Sequence, residues 1–84
     1  MKAPKYTKDQ IVYEGKTQKG ILQIIHTEDN LFFWHLVGKN NEILCLCETF
    51  KRLQGCLRNL QLSQYIFDAT FEVAYIAEKL KIKL

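Results

Sequence analysis

The chain has 84 residues, 48% of them apolar and 25% charged, with a formal net charge of +3. A chain of that length makes one domain and buries only about 60–65% of the surface its unfolded form exposes, so a lone monomer is expected to be marginal. No apolar run approaches the roughly 18–20 residues of a membrane span, and the opening MKAPKYTKDQ lacks the apolar segment of a signal peptide; no membrane association and a cytoplasmic location are expected.

The charge is unevenly placed. Residues 1–20 carry five Lys against Asp9 and Glu14, while residues 21–64 and 65–84 are each balanced. The whole surplus therefore sits near the N-terminus, and the body of the domain is neutral. A nucleic-acid binder usually shows its basic patch on the folded body. The three Cys, Cys45, Cys47 and Cys56, are an odd number, where a disulfide scaffold uses pairs. Free thiols are commonly small buried hydrophobes. Cys45 and Cys47 with a His do not give the common zinc spacing, so no metal is expected.

Residues 1–9 are polar, contain the single Pro, and are expected to form a loose arm, with one domain over 10–84. Ile11-Val12-Tyr13 reads as a short first strand, and Gly15 to Gly20 as a turn. Ile21 to His26 is rich in β-branched residues and reads as a strand. Thr27-Glu28-Asp29-Asn30 is a polar turn. Leu31 to Val37 is the next strand, with Phe32, Trp34 and Leu36 on one face and Leu31, Phe33, His35 and Val37 on the other. Both faces are apolar, where a strand with one wet face would alternate. Gly38 to Asn41 is a hairpin loop in which Asn tolerates left-handed conformations. Glu42 to Cys47 returns antiparallel.

The period then changes. Phe50, Leu53, Cys56, Leu57 and Leu60 form one helical stripe, which predicts a helix over 50–62 with Thr49 as its N-cap. Gly55 weakens it by about 1 kcal/mol relative to Ala, and close packing against the sheet is its expected reason. Asp68 to Glu78 fits a helix, although Phe71, Val73 and Tyr75 equally fit a strand. The tail Glu78 to Leu84 alternates Leu80, Ile82 and Leu84 with Lys79, Lys81 and Lys83, the pattern of a Lys-guarded edge strand. The expected fold is α+β: a three- to four-stranded antiparallel sheet, the helix across one face, and a helical or extended C-terminal segment. Phe32, Trp34, Leu36, Leu53, Leu57 and Leu60 are the expected core.

Leu22-x-Ile24, Phe32-x-Trp34-x-Leu36, Asn40-Asn41-Glu42-Ile43-Leu44 and Cys47-Glu48-x-Phe50 before a helix together resemble the YegP-like family of small domains. The resemblance covers about residues 20–62. Asn41, Cys47 and Phe50 stand where the family pattern has Gly, Ser and Tyr, and the helix lacks the family's Ala-rich face. The resemblance implies a three-stranded antiparallel sheet crossed by a helix, occurring as tandem copies or as single copies that pair. It carries over no catalytic residues.

Function classes follow from what the residues can do. A nucleophile needs a base in reach, and neither Cys56, on the apolar stripe, nor Ser63 has one that the sequence can name. Glu28 and Asp29 lie in a polar turn. No phosphate-cradling Gly-rich loop occurs. Enzymatic activity, catalytic residues and cofactors are therefore not expected. Phe32-Phe33-Trp34 has the composition of a base-stacking platform but lacks flanking cations, so nucleic-acid binding, aided by the Lys-bearing arm, ranks second. A protein-interaction module ranks first: a homodimer, with a possible larger protein partner. Its expected interface is Phe33, His35, Val37 and Cys45 on the sheet together with Leu80, Ile82 and Leu84 on the tail.

Overall fold

The computed structural model describes residues 6–17, 19–63 and 70–83. Strands β1 (Ile11–Lys16), β2 (Ile21–His26), β3 (Phe32–Val37) and β4 (Ile43–Leu46) form one antiparallel sheet in chain order. Helices α1 (Leu53–Leu62) and α2 (Thr70–Lys79) follow. The fold is α+β, as the change of period implied.

Each hairpin turn carries a residue with positive φ. Gly20 has φ 156°, Asn30 61°, Asn40 63° and Asn41 60°. Gly20 is required by space as well, because a Cβ there would lie 2.5 Å from the Val37 carbonyl oxygen. Asn is the side chain that tolerates the left-handed region best after Gly. Between the turns, β2 and β3 pair without a break, setting Leu22 against Leu36 and Ile24 against Trp34. The β1–β2 register shifts between Ile11 and Tyr13, and the β3–β4 register shifts between the pairs at Leu36 and Val37.

The helix starts three residues later than its apolar stripe implies. The Phe50 amide and carbonyl each bond to Phe32 at 2.7 Å, which holds Phe50 extended beside β3. Arg52, not Thr49, is the N-cap, and no side chain caps it. From Leu53 onward the stripe behaves as read. Cys56, Leu57 and Leu60 are buried against Leu22, Ile24, Trp34 and Leu36 of the sheet, and the Trp34 indole N–H donates to Asn59 Oδ1 at 2.9 Å. Gly55 is not demanded by the sheet: a Cβ there would meet the Phe50 ring at 3.5 Å, an ordinary contact.

Helix α2 adds Val73, Ile76 and Ala77 to the same core, so both helices lie on one face. Asp68, expected to cap it, lies outside the described residues. The alternating tail is not a strand. Lys81 takes φ 58°, its amide donates to the Glu78 carbonyl at 3.2 Å, and the Ile82 amide donates to the Ala77 carbonyl at 2.8 Å. This pair of bonds is the Schellman closure of a helix C-terminus. It folds Leu80 and Ile82 back onto the core, and Gln54 Nε2 donates to the Lys83 carbonyl to hold the tail against α1.

Candidate interaction surface

The sheet face turned away from the helices was the expected interface. Phe33 and His35 are 0% exposed there and Val37 is 8% exposed. Tyr6 stands edge-on to both Phe33, at 6.4 Å between ring centroids, and His35, at 5.4 Å. The Tyr6 hydroxyl donates to Gln23 Oε1 at 2.9 Å. Residues 6–9 of the expected arm are thus docked: the Thr7 amide donates to Gln10 Oε1 at 2.8 Å, and Lys8–Gln10 form a 3-10 turn. Residues 1–5 lie outside the described residues.

The polar groups on this face form one chain. Gln23 Nε2 donates to Glu14 Oε1 at 2.8 Å, which fixes the amide with its oxygen toward Tyr6 and His35. His35 Nε2 lies 2.6 Å from that oxygen and therefore carries the proton of the neutral ring. Nδ1 is then a buried lone pair with no hydrogen-bond partner among the described residues. Burial holds the His35 pKa below its ordinary 6.5. Beside the chain lies a broadly open cleft of ≈ 770 Å³ whose walls include Tyr6, Lys8, Tyr13, Glu14, Gln23 and Asn41.

The remaining expected interface residues are scattered. Cys45 is half-buried and packs against the helix-side core, as do Leu80 and Ile82. Leu84 lies outside the described residues. The structure therefore brings Phe33, His35 and Val37 together on one face, and places Cys45, Leu80 and Ile82 on the other.

Among the described residues, β1 and β4 are the terminal strands of the sheet. β1 ends the sheet with an irregular register, and its strand carries Glu14 and Lys16. Charged edges resist pairing, and it is charge that separates the two edges, since β4 has a register shift of its own. β4 ends the opposite side with Ile43-Leu44-Cys45-Leu46, four residues and no charge. Leu44 lies at the register shift and is 49% exposed. Nothing local to Leu44 announces this, because strand order is a property of the whole sheet. Tyr6 was equally invisible, since its contacts with Gln23 and His35 span 17 and 29 residues.

The three thiols differ in burial: Cys45 and Cys47 are half-buried and Cys56 is fully buried. The Cys47 sulfur accepts the Trp34 amide at 3.1 Å. Side-chain hydrogen bonding with Cys56 holds the Cys47 pKa below the usual thiol value and pushes Cys56 up, with burial adding to the rise at Cys56. Burial and then Cys47 push Cys45 up. Among the described residues no three His, Cys, Asp or Glu side chains converge to hold a metal ion, and no helix is long and apolar enough to cross a membrane.

Comparison with family models, with curated proteins and with solved structures finds no match to this chain.

Proposed function

We propose that this chain is a non-enzymatic, cytoplasmic protein-interaction module that pairs with a second copy of itself along the open edge of β4. The carrying observation is that edge: an uncharged terminal strand with Leu44 half exposed. An antiparallel β4–β4 contact about a two-fold axis is self-complementary, and the absence of charge along β4 puts no like charges opposite one another. The YegP-like resemblance, in which single copies pair, supports the same reading. Four residues make a short seam, smaller than the interface of a stable dimer, so pairing is weak, on the order of micromolar to millimolar. A larger protein that adds its own strand to the same edge is the other occupant the geometry admits. The nucleic-acid reading draws no support from the aromatic strand: Phe33 and Trp34 are buried, and Phe32 is stacked on His26 at 4.4 Å.

The test is solution mass by light scattering over a concentration series for the parent chain, Leu44→Lys and, as control, Leu62→Lys. The parent and the control should rise toward dimer mass, and Leu44→Lys should remain monomeric with an unchanged circular-dichroism spectrum. A parent that stays monomeric throughout refutes self-pairing. A dimer that survives Leu44→Lys refutes the β4 edge.

A further inference from the structure

The sheet face that carries His35 is organised as one cross-strand row. Glu14 of β1 pairs with Gln23 of β2, Gln23 with His35 of β3, and His35 with Leu46 of β4. Burial deepens from the exposed Glu14 through the half-buried Gln23 to the fully buried His35. The Gln23 amide is engaged at both ends. Its oxygen lies 2.9 Å from the Tyr6 hydroxyl and 2.6 Å from His35 Nε2, and its nitrogen donates to Glu14. The Tyr6 hydroxyl stands only 3.5 Å from the same imidazole nitrogen. The segment that brings Tyr6 there, ahead of β1, is not paired into the sheet.

This arrangement suits one charge state of the ring. Neutral His35 donates through Nε2 and leaves Nδ1 as a lone pair. A second proton goes to Nδ1, where the buried N–H has no acceptor among the described residues, and an unpartnered buried charge is costly. Among those residues, no element packed against the ring brings a compensating charge into contact with it. The N-terminal segment brings the Tyr6 ring, while Lys8 and Asp9 are exposed on its 3-10 turn. β1 brings Glu14, which the Gln23 amide separates from the imidazole, and further along Lys16, also exposed. β4 brings Leu46 and has no charged residue. The neighbours on the same face of β3 are Phe33 and Val37. Water is the remaining partner for a second proton. Releasing Tyr6 breaks one hydrogen bond and two edge-on ring contacts and no strand pairing.

We propose that the segment from Tyr6 to Gln10 is a proton-operated strap: protonation of His35 at Nδ1 releases Tyr6 from Gln23 and opens the face bearing Phe33, His35 and Val37, while the core between the sheet and the helices stays folded. Histidine is the side chain whose charge changes near neutral pH. The closed state holds the neutral ring and the open state accepts the proton, so the strap is shut at neutral pH and opens as pH falls below 6.5.

The experiment is an NMR titration of the full chain from pH 7 to pH 5. It follows the His35 and Tyr6 rings, with the Trp34 indole N–H, bonded to Asn59 on the helix side, as the internal control. The Tyr6 signals should leave their docked positions together with the titrating His35 ring, while the Trp34 signal stays. The ratio of released to docked Tyr6 should grow by up to about 25-fold over that range, the limit for one proton and an open-state pKa near 6.5. His35→Gln should keep Tyr6 docked throughout, and Glu14→Gln should leave the transition in place. Tyr6→Phe should raise the released fraction at pH 7 and keep the pH dependence, which preserves the test if His35→Gln fails to fold. A constant ratio overturns the proposal. So does a transition that persists in His35→Gln or vanishes in Glu14→Gln, or a Trp34 signal lost in step with Tyr6, which would mark unfolding of the whole domain.

Discussion

Leu57 and Leu62 place the same side chain on the same helix in opposite environments, which isolates what burial contributes. Leu57 is 0% exposed and Leu62 is 77% exposed. Leu57→Ala removes the transfer free energy of its lost atoms and leaves a cavity between α1 and the sheet, together about 2–5 kcal/mol. For 84 residues the total stability is on the order of 4–13 kcal/mol, so this one change removes a large share of it. Leu62→Ala should stay within about 0.5 kcal/mol of the parent, because the site is exposed and Ala is the better helix former. The single Trp of the chain, Trp34, is 1% exposed, which makes its fluorescence a sensitive reporter in urea titrations. The Leu57→Ala midpoint should drop sharply with m unchanged, and its melting temperature should fall by roughly 10–30 °C. A Leu57→Ala cost equal to that of Leu62→Ala would refute the packing of α1 on Leu22, Ile24, Trp34 and Leu36.

Three further changes test other parts of the fold. Gly55→Ala should stabilise by about 0.5–1 kcal/mol in the same titration, since its new Cβ meets only the Phe50 ring at ordinary distance; a loss would mean that the helix needs the Gly after all. Lys81→Gly should stabilise by about 1 kcal/mol, relieving a side chain at φ 58° within the helix closure; a loss would show that the Lys81 side chain holds the tail more than its backbone strains it. His35 is held neutral by burial, with its pKa below 6.5. The unfolded chain therefore binds the additional proton first, so this contribution is complete above pH 6.5 and is lost as pH falls from there toward the folded-state pKa. The stability of the parent relative to His35→Leu should decline between pH 7 and pH 5, and a flat difference would place His35 in water.

The parts of the fold that sequence made legible are those governed by short-range periodicity. Leu53, Cys56, Leu57 and Leu60 repeat at helical spacing, and Asn40 and Asn41 adopt the positive φ that a tight hairpin asks for. Phe50 fits the same helical stripe by spacing alone, and only its two bonds to Phe32, eighteen residues away, draw it out of the helix. The tail failed for a related reason. Six alternating residues look the same whether they form a strand or fold back through a left-handed Lys81, and Lys is a residue type that gives no warning of that conformation. The second sheet face was correctly read as apolar and in need of a cover. Tyr6, which stands edge-on to Phe33 and His35 there, came from a polar stretch whose composition argues for fraying, and its partners Gln23 and His35 are too far along the chain to signal it.

That cover changes which interaction mechanisms remain physically motivated. A sheet with a bare apolar face would associate through that face, burying a large area at a stroke. Here Phe33 and His35 are already enclosed, so exposing them to a partner would first require displacing Tyr6 and breaking its bond to Gln23. An edge carries no such cost, since β4 is a terminal strand of the sheet and the outward backbone groups of an edge strand are a ready template for pairing.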